Sequence, residues 1–433
     1  MALLWIAYLW PTIALNERVI DTANIGNHVT AVQLAWNWTH GFGWSNTYGQ
    51  FENGWWWGAH HRPIMYLLAP LSQWSDSPWT LSRLSTVLVA LGMVLAWRLG
   101  SAEAGPAFGF AAAVVYAFSP NLIVNCLGNF SDLLLVAPAG VAIVLASRHG
   151  PPWAVVVSVA VACAVREEMR LLSIFFAFAG GWRPAVIGAL TAAGCSVLTM
   201  SQVPNTGMAF VELLHRRGPS HGPLSFETID YPAAFFGVGT GLGVLWLAPT
   251  YLAAAAAFVI LHDQPYLIGE FSQGLAFAHH YMIATTLGVL GAILGCARVE
   301  RRMPRLGTAL LLLSSAGGYL YFRDVVRDHD DRHPADSPEH PAWALIRKAP
   351  RDAVLFVPDA LYPAAAQRRW VVSRRYLELE GSMPAGSAVV PPIDFAILRP
   401  GQAAGGELVA EEDGWRLVSH PDQSALMSFA DPP

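Results

Sequence analysis

Long apolar runs separated by short polar loops dominate the chain. Residues 79–97, 106–124, 131–147, 152–165, 183–201, 233–261, 281–297 and 306–322 are each apolar over a length that crosses, or nearly crosses, a bilayer. Three segments are less regular: an opening run at 1–15 interrupted by Pro11, a short run at 171–180, and 233–261, which Pro249 divides into a hairpin of two short helices. The opening run lacks the basic start and small-residue cleavage site of a signal peptide and is read as a first transmembrane helix. The pattern predicts an α-helical polytopic membrane protein of about 10–11 transmembrane helices.

After Phe322 the pattern changes. Residues 323–340 are charged and Pro-containing and read as a solvated linker, their Asp and His spacing matching no defined metal site. Beyond it HPAWALIRKAP has helical character, and VLFVP, WVVS, DFAILRP and WRLVSHP read as strands separated by Gly/Pro loops. The expected organisation is a transmembrane domain over 1–322 with a large first outer loop at 16–78, a linker at 323–340, and a small C-terminal α/β extracytoplasmic domain at 341–433.

Composition agrees with the membrane reading: 54% of residues are hydrophobic and 13% charged, against roughly 25% charged in soluble domains. Cytoplasmic loops accumulate Lys and Arg, so the Arg298, Arg301, Arg302 and Arg305 cluster is expected inside, together with Arg98, Arg148 and Arg183. The loops 16–78, 122–131, 203–232 and 262–280 and the C-terminal tail then face outward. Cys126, Cys163, Cys195 and Cys296 lie in or beside apolar spans and read as packing residues, with no disulfide framework and no metal motif. A net charge of -5 without a basic stripe gives no nucleic-acid signature.

No phosphate-binding glycine loop, nucleophile elbow or HExxH motif occurs, so any chemistry is assembled from side chains on several outer segments. The first outer loop carries Asp21, Asn24, His28, His60, His61 and Arg62 among many tryptophans. The segment FSPNLIVNCLGNFSDLLL adds Asn125, Asn129 and Asp132, AVREEMRLL adds Arg166, Glu167, Glu168 and Arg170, and His279 and His280 lead into the helix at Tyr281. Ionisable groups at membrane depth are expensive unless they pair or face a cavity. Each also has a structural reading. Asp21 serves equally as a helix cap, Asn24 with Gly26 as a turn, Glu167 with Arg170 as an intrahelical ion pair, and Trp55, Trp56 and Trp57 as interfacial anchors.

The order of these segments resembles the DUF2079 family of bacterial membrane proteins, grouped with the GT-C class of glycosyltransferases. The family pattern DLGxxxQALWN, DHxSPIxLLLAP, a DFHPE-like block and a KED-like helix end is similar to NIGNHVTAVQLAWN, AHHRPIMYLLAP, NFSDL and REEM in this chain. PYLIGEFSQGLAFAHHY and the tail segments DAVLFVP and PIDFAILRP resemble later parts of the family. The resemblance implies a GT-C-like helical fold in the bacterial cytoplasmic membrane. It also implies sugar transfer from a polyprenyl-phosphate-linked donor to an acceptor of undetermined identity on the outer face. For this chain it implies Asp21, Asn24, His60 and His61 as catalytic candidates, and His28, Arg62, Asn129, Asp132, Arg166, Glu167, Arg170 and His280 as substrate-binding candidates. The cofactor is unknown, since the class contains both members that use a divalent cation and members that do not.

The chain departs from the family at acidic positions. The leading Asp is Asn24, the DH pair is Ala59 with His60, and the DFHPE-like block has Asn129 and Ser131 flanking Phe130. An amide cannot accept a proton as a carboxylate does. Either Asp21, one helical turn earlier, takes over as base, or the protein is a non-catalytic lipid-carrier-binding, transport or envelope-assembly protein. No internal repeat of the transporter kind is evident.

Overall fold

Each apolar run that the structure describes falls on a helix. The computed structural model describes residues 25–43, 62–75, 77–127, 130, 132–166, 168–202, 244, 247–255, 282–331, 340–358, 361–362, 364–373 and 392–427. The region before the bundle contributes α1 (Ile25–Thr39) and α2 (Met65–Ser72). The bundle follows with α3 (Thr80–Ala104), α4 (Pro106–Ala117), α5 (Pro120–Leu127), a 3-10 turn at Asp132–Leu135, α6 (Val136–His149), α7 (Pro152–Val165), α8 (Glu168–Phe178) and α9 (Trp182–Gln202), and later α10 (Met282–Arg302) and α11 (Leu306–Asp331). The run expected at 106–124 is two helices, because Pro120 has no N–H to continue the ladder and instead opens α5. Helix α11 continues to Asp331, into the stretch expected as linker.

Two helices among the described residues, α3 and α10, are long and apolar enough to cross a bilayer, and the other apolar helices are shorter. Twenty-five residues make α3 about 37 Å long. Helix α10 is apolar all round, and every residue from Met282 to Ala297 is buried, as expected for the central element of a bundle. Around it, Leu91, Phe110, Trp153, Val157, Leu171, Leu190 and Leu313 on α3, α4, α7, α8, α9 and α11 are each more than half exposed. Apolar surface of that extent marks a face turned away from water.

Close helix contact relies on small residues. A Cβ on Gly109 of α4 would stand 2.7 Å from the Trp97 carbonyl oxygen, and one on Gly100 of α3 would stand 2.7 Å from Ala112 Cβ. The turn between these two helices is Gly105 at φ 95, a backbone state glycine adopts without steric cost, followed by Pro106 at the first helical position.

The C-terminal domain holds α12 (Ala342–Lys348), the strands β1 (Val354–Phe356), β2 (Trp370–Val372), β3 (Phe395–Leu398), β4 (Glu407–Glu412) and β5 (Trp415–Ser419), and α13 (Gln423–Met427). The sheet order is β2-β1-β3-β5-β4, parallel on either side of β1 and antiparallel from β3 onward. The helix and four strands read from sequence are present. Strand β4 is additional: its residues are mostly exposed and acidic, so it lacks the apolar pattern of a strand. The signal that marks it is Asp413-Gly414, both at positive φ, closing a two-residue hairpin onto β5.

Candidate functional site

Arg62 opens the segment that becomes α2. Its carbonyl accepts from the Met65 N–H at 3.0 Å, and two residues on the Ile64 N–H donates to the Ala164 carbonyl in the last turn of α7 at 2.7 Å. That bond fastens the Arg62 segment to the end of α7, immediately before Arg166. Arg62 is 1% exposed and among the largest fully buried side chains in the molecule.

Arg166 has extended backbone at the break between α7 and α8, and its carbonyl accepts from the Met169 N–H that begins the next helix. Its guanidinium is buried and donates from Nε to Glu168 Oε1 at 3.0 Å, with Oε2 at 2.9 Å completing the ion pair. Arg170, in the first turn of α8, is half-buried. The Arg62 segment is thus fastened beside the α7–α8 break that carries Arg166, with Arg170 in the first turn of α8. Guanidinium groups keep their charge even when buried, and a helix N-terminus adds a favourable potential for anions.

Glu168 engages Arg166; the expected Glu167–Arg170 pair lies outside the described residues, because Glu167 is not among them. Asp21, Asn24, His60, His61, Asn129 and His280 are likewise outside the described residues, as are the side chains of His28 on α1 and Asp132 at the head of the 3-10 turn. The backbone of that turn packs on α7, at the end of the bundle where Arg166 lies. Nearby, Asn125 donates to the Asn121 carbonyl oxygen at 2.8 Å, and Asn121 Nδ2 donates to Thr285 Oγ1 at 2.8 Å, tying α5 to the central helix. Asn121 and Thr285 carry no motif, and only the packing of α5 on α10 pairs them. Among the described residues no group of three His, Cys, Asp or Glu side chains is placed to hold a metal ion.

The expected interfacial helix is α2. Met65, Leu68, Ala69 and Ser72 face inward, while Tyr66, Leu67, Leu71 and, just beyond the helix, Trp74 present exposed apolar surface.

On α1, Val29 and residues 31–37 are buried, and two of the polar residues among them make the joint to the C-terminal domain. Gln33 Nε2 donates to the carbonyl oxygens of Arg368 at 3.3 Å and Arg369 at 2.9 Å, and Asn37 Nδ2 reaches the Arg369 carbonyl at 3.5 Å. Both amides are fully buried. The Arg369 guanidinium lies 4.6 Å from the centre of the Phe42 ring, and Trp79 packs on Trp343 at 5.6 Å. One continuous apolar core runs from Val29 and Trp79 through Trp343, Leu345, Leu355 and Tyr362. Arg368 is itself buried, and burial, with Arg351 nearby, lowers its pKa to about 9. It remains charged at neutral pH and donates to the Ala365, Pro350 and Ile346 carbonyls.

At the opposite end of the bundle the C-termini of α3, α6, α8 and α10 converge on Glu103, whose side chain is 1% exposed. Arg148 donates to it from Nε and from Nη2, the latter at 2.9 Å, while His149 Nε2 and Arg301 Nη1 each approach at 2.8 Å. Arg148 Nη1 also donates to the Ala179 carbonyl at 2.8 Å. The sequence reading missed Glu103 because a lone glutamate in an apolar run has no local signature.

Residues 31–209 match the model of the DUF2079 family, described as predicted membrane proteins. The DUF2079 stretch contains His60, His61, Arg62, Asn129, Asp132, Arg166, Glu167 and Arg170; Asp21, Asn24 and His28 precede it and His280 follows. The chain as a whole has the fold of ArnT from Cupriavidus metallidurans. The ArnT crystal structure in the apo state gives a TM-score of 0.56 at 11% identity, covering 100% of this chain and 99% of ArnT. The crystal structure of ArnT bound to undecaprenyl phosphate gives 0.51 at 12% identity with the same coverage. No curated protein matches the chain in sequence. The DUF2079 match agrees with the resemblance carried by the motif order, the likeness to ArnT shows the fold, and together they support a membrane location.

Proposed function

We propose that this protein is a multi-pass glycosyltransferase of the cytoplasmic membrane that takes a sugar from a polyprenyl-phosphate carrier and passes it to an acceptor on the outer face. The observation that supports this reading is the Ile64–Ala164 bond, which brings the segment of the buried Arg62 beside the α7–α8 break where Arg166 and Arg170 stand. It is supported by a fold shared over the whole chain with an enzyme crystallised with undecaprenyl phosphate. In this reading the basic turns at the Glu103 end face the cytoplasm. The arginine end, the C-terminal domain and the outer loops face outward, and the remaining helices complete about ten or eleven spans.

Asp21 is the base or acceptor orienter. The acceptor hydroxyl gives it a proton as the oxygen bonds to the anomeric carbon, and the bond from that carbon to the phosphate oxygen breaks, leaving the electron pair on the lipid phosphate. Arg62, with Arg170 or with the guanidinium nitrogens that Arg166 does not direct at Glu168, receives that developing charge; guanidinium supplies paired N–H groups to phosphate oxygens. Asn24, His28, His60, His61, Asn129, Asp132, Glu167 and His280 line the same cavity in this reading. Whether a divalent cation assists is open.

A second reading is favoured by one observation, the amide Asn24 where the family pattern has a carboxylate: the protein binds the lipid carrier without turnover. A labelled polyprenyl-phosphate sugar supplied to the purified protein in nanodiscs separates the two. Saturable binding with release of the carrier phosphate, lost in Asp21→Ala, is the expected result. Binding without release favours the second reading, and full turnover by Asp21→Asn removes Asp21 from the mechanism.

A further inference from the structure

We propose that the Glu103 end of the helical bundle is a binding collar for the phosphodiester headgroups of anionic membrane phospholipids, distinct from the site gathered around Arg62. The two carboxylates at this end are already engaged. Glu103 is held by Arg148, His149 and Arg301, and Glu300 accepts the backbone N–H groups of Arg305 and Thr308, each at 2.7 Å. Among the described residues no carboxylate reaches Arg98, Arg183, Arg302 or Arg305, all of which are exposed. The end therefore presents excess positive charge on a frame locked by a buried clamp.

A second observation fixes the kind of ligand. Arg98 lies over the Trp97 ring and Arg183 over the Trp182 ring, each 5.5 Å from the centroid, and both tryptophans are exposed at 39% and 67%. Tryptophan prefers the headgroup level of a bilayer, and directly behind these pairs begin the exposed apolar faces of α3 and α9 that carry Leu91, Val94 and Leu190. An arginine paired with an interfacial tryptophan at the rim of a lipid-facing surface sits at the depth of lipid phosphates. A soluble phosphate has no use for the apolar rim; a phospholipid satisfies both parts. The helix C-termini at this end do not explain the four arginines. The carbonyl and carboxylate acceptors there are met by Arg148, Arg301 and Arg298, the last donating to the Leu247 carbonyl at 3.2 Å.

The test needs no knowledge of the transferred sugar. The full chain is reconstituted in nanodiscs of equal parts phosphatidylcholine and phosphatidylglycerol, and lipid retained after transfer to mild detergent is counted by native mass spectrometry. Wild type should retain phosphatidylglycerol selectively. In the R98Q/R183Q/R302Q/R305Q variant, retention should fall by about fivefold per arginine removed, while R98K/R183K/R302K/R305K, which keeps the charge, should hold it. Equal retention in the Gln variant overturns the proposal, as does loss in both variants. Displacement of the lipid by millimolar glycerol phosphate also overturns it and reassigns the collar to a soluble anion.

Discussion

The Ile64 N–H and the Ala164 carbonyl oxygen meet at 2.7 Å, and this backbone bond joins the segment before α2 to the end of α7. It brings the segment of Arg62 to that of Arg166 across a hundred residues of chain. Both arginines are buried, at 1% and 3% exposure.

Arg62→Ala is expected to weaken binding of undecaprenyl phosphate by about tenfold or more, the scale of a lost hydrogen bond to a charged group. Arg62→Lys should recover only part of it, because an ammonium cannot present two parallel donors. Titration of labelled lipid into nanodisc-held protein checks both, and unchanged affinity in Arg62→Ala would remove it from the phosphate site.

Glu103→Gln leaves Arg148 and Arg301 at the bundle end without their shared carboxylate. Because Arg148 and Arg301 are 29% and 47% exposed, water screens the charges left behind, and the loss is about 1–3 kcal/mol, the scale of hydrogen bonds to a charged group. The variant should unfold at a clearly lower temperature than wild type while still binding the lipid carrier, since the arginine site lies at the other end. A melting temperature within a degree or so of wild type would show that the clamp contributes nothing.

Gln33→Leu with Asn37→Leu removes the donors that hold the Arg368 and Arg369 carbonyls. Hydrogen exchange should rise together in α1 and in residues 364–373, because each covers the other. Deleting residues 340–433 should go further and destabilise the first loop, exposing the core that Trp79 and Trp343 share. Such a deletion therefore does not isolate a separable binding function. A truncated protein with native protection in α1 would refute the coupling.

His340 stands edge-on to Trp415 at 5.0 Å, its Nδ1 accepts from the Ala342 N–H at 3.2 Å, and burial lowers its pKa. The unfolded chain thus binds a proton more readily than the folded one. The contribution is fully present above about pH 6.5, the ordinary histidine value, and is lost as pH falls through the lower folded value. Protection of β5 against hydrogen exchange should decline over that window, and His340→Gln should flatten the decline. An identical pH profile in the variant would rule His340 out as its source.

The sequence by itself determined what is periodic and local. Runs of apolar residues marked the helices from Thr80 to Gln202 and from Met282 to Phe322, and short β-branched and aromatic runs marked β1, β2, β3 and β5. Both signals are legible because burial of an element is written into its own residues. Five of the candidate positions, Arg62, Asn125, Arg166, Glu168 and Arg170, have described side chains, and Arg62 and Arg166 among them are buried. Only the tertiary structure decided that Glu168 engages Arg166, that Glu103 is the partner of Arg301, and that Gln33 holds the backbone of Arg369 across 336 residues. A single glutamate or glutamine has no period and no spacing that names its partner. Its role depends on which distant carbonyl or guanidinium the packed helices bring within hydrogen-bond reach, and that is settled by the summed burial of whole elements rather than by any short stretch of sequence.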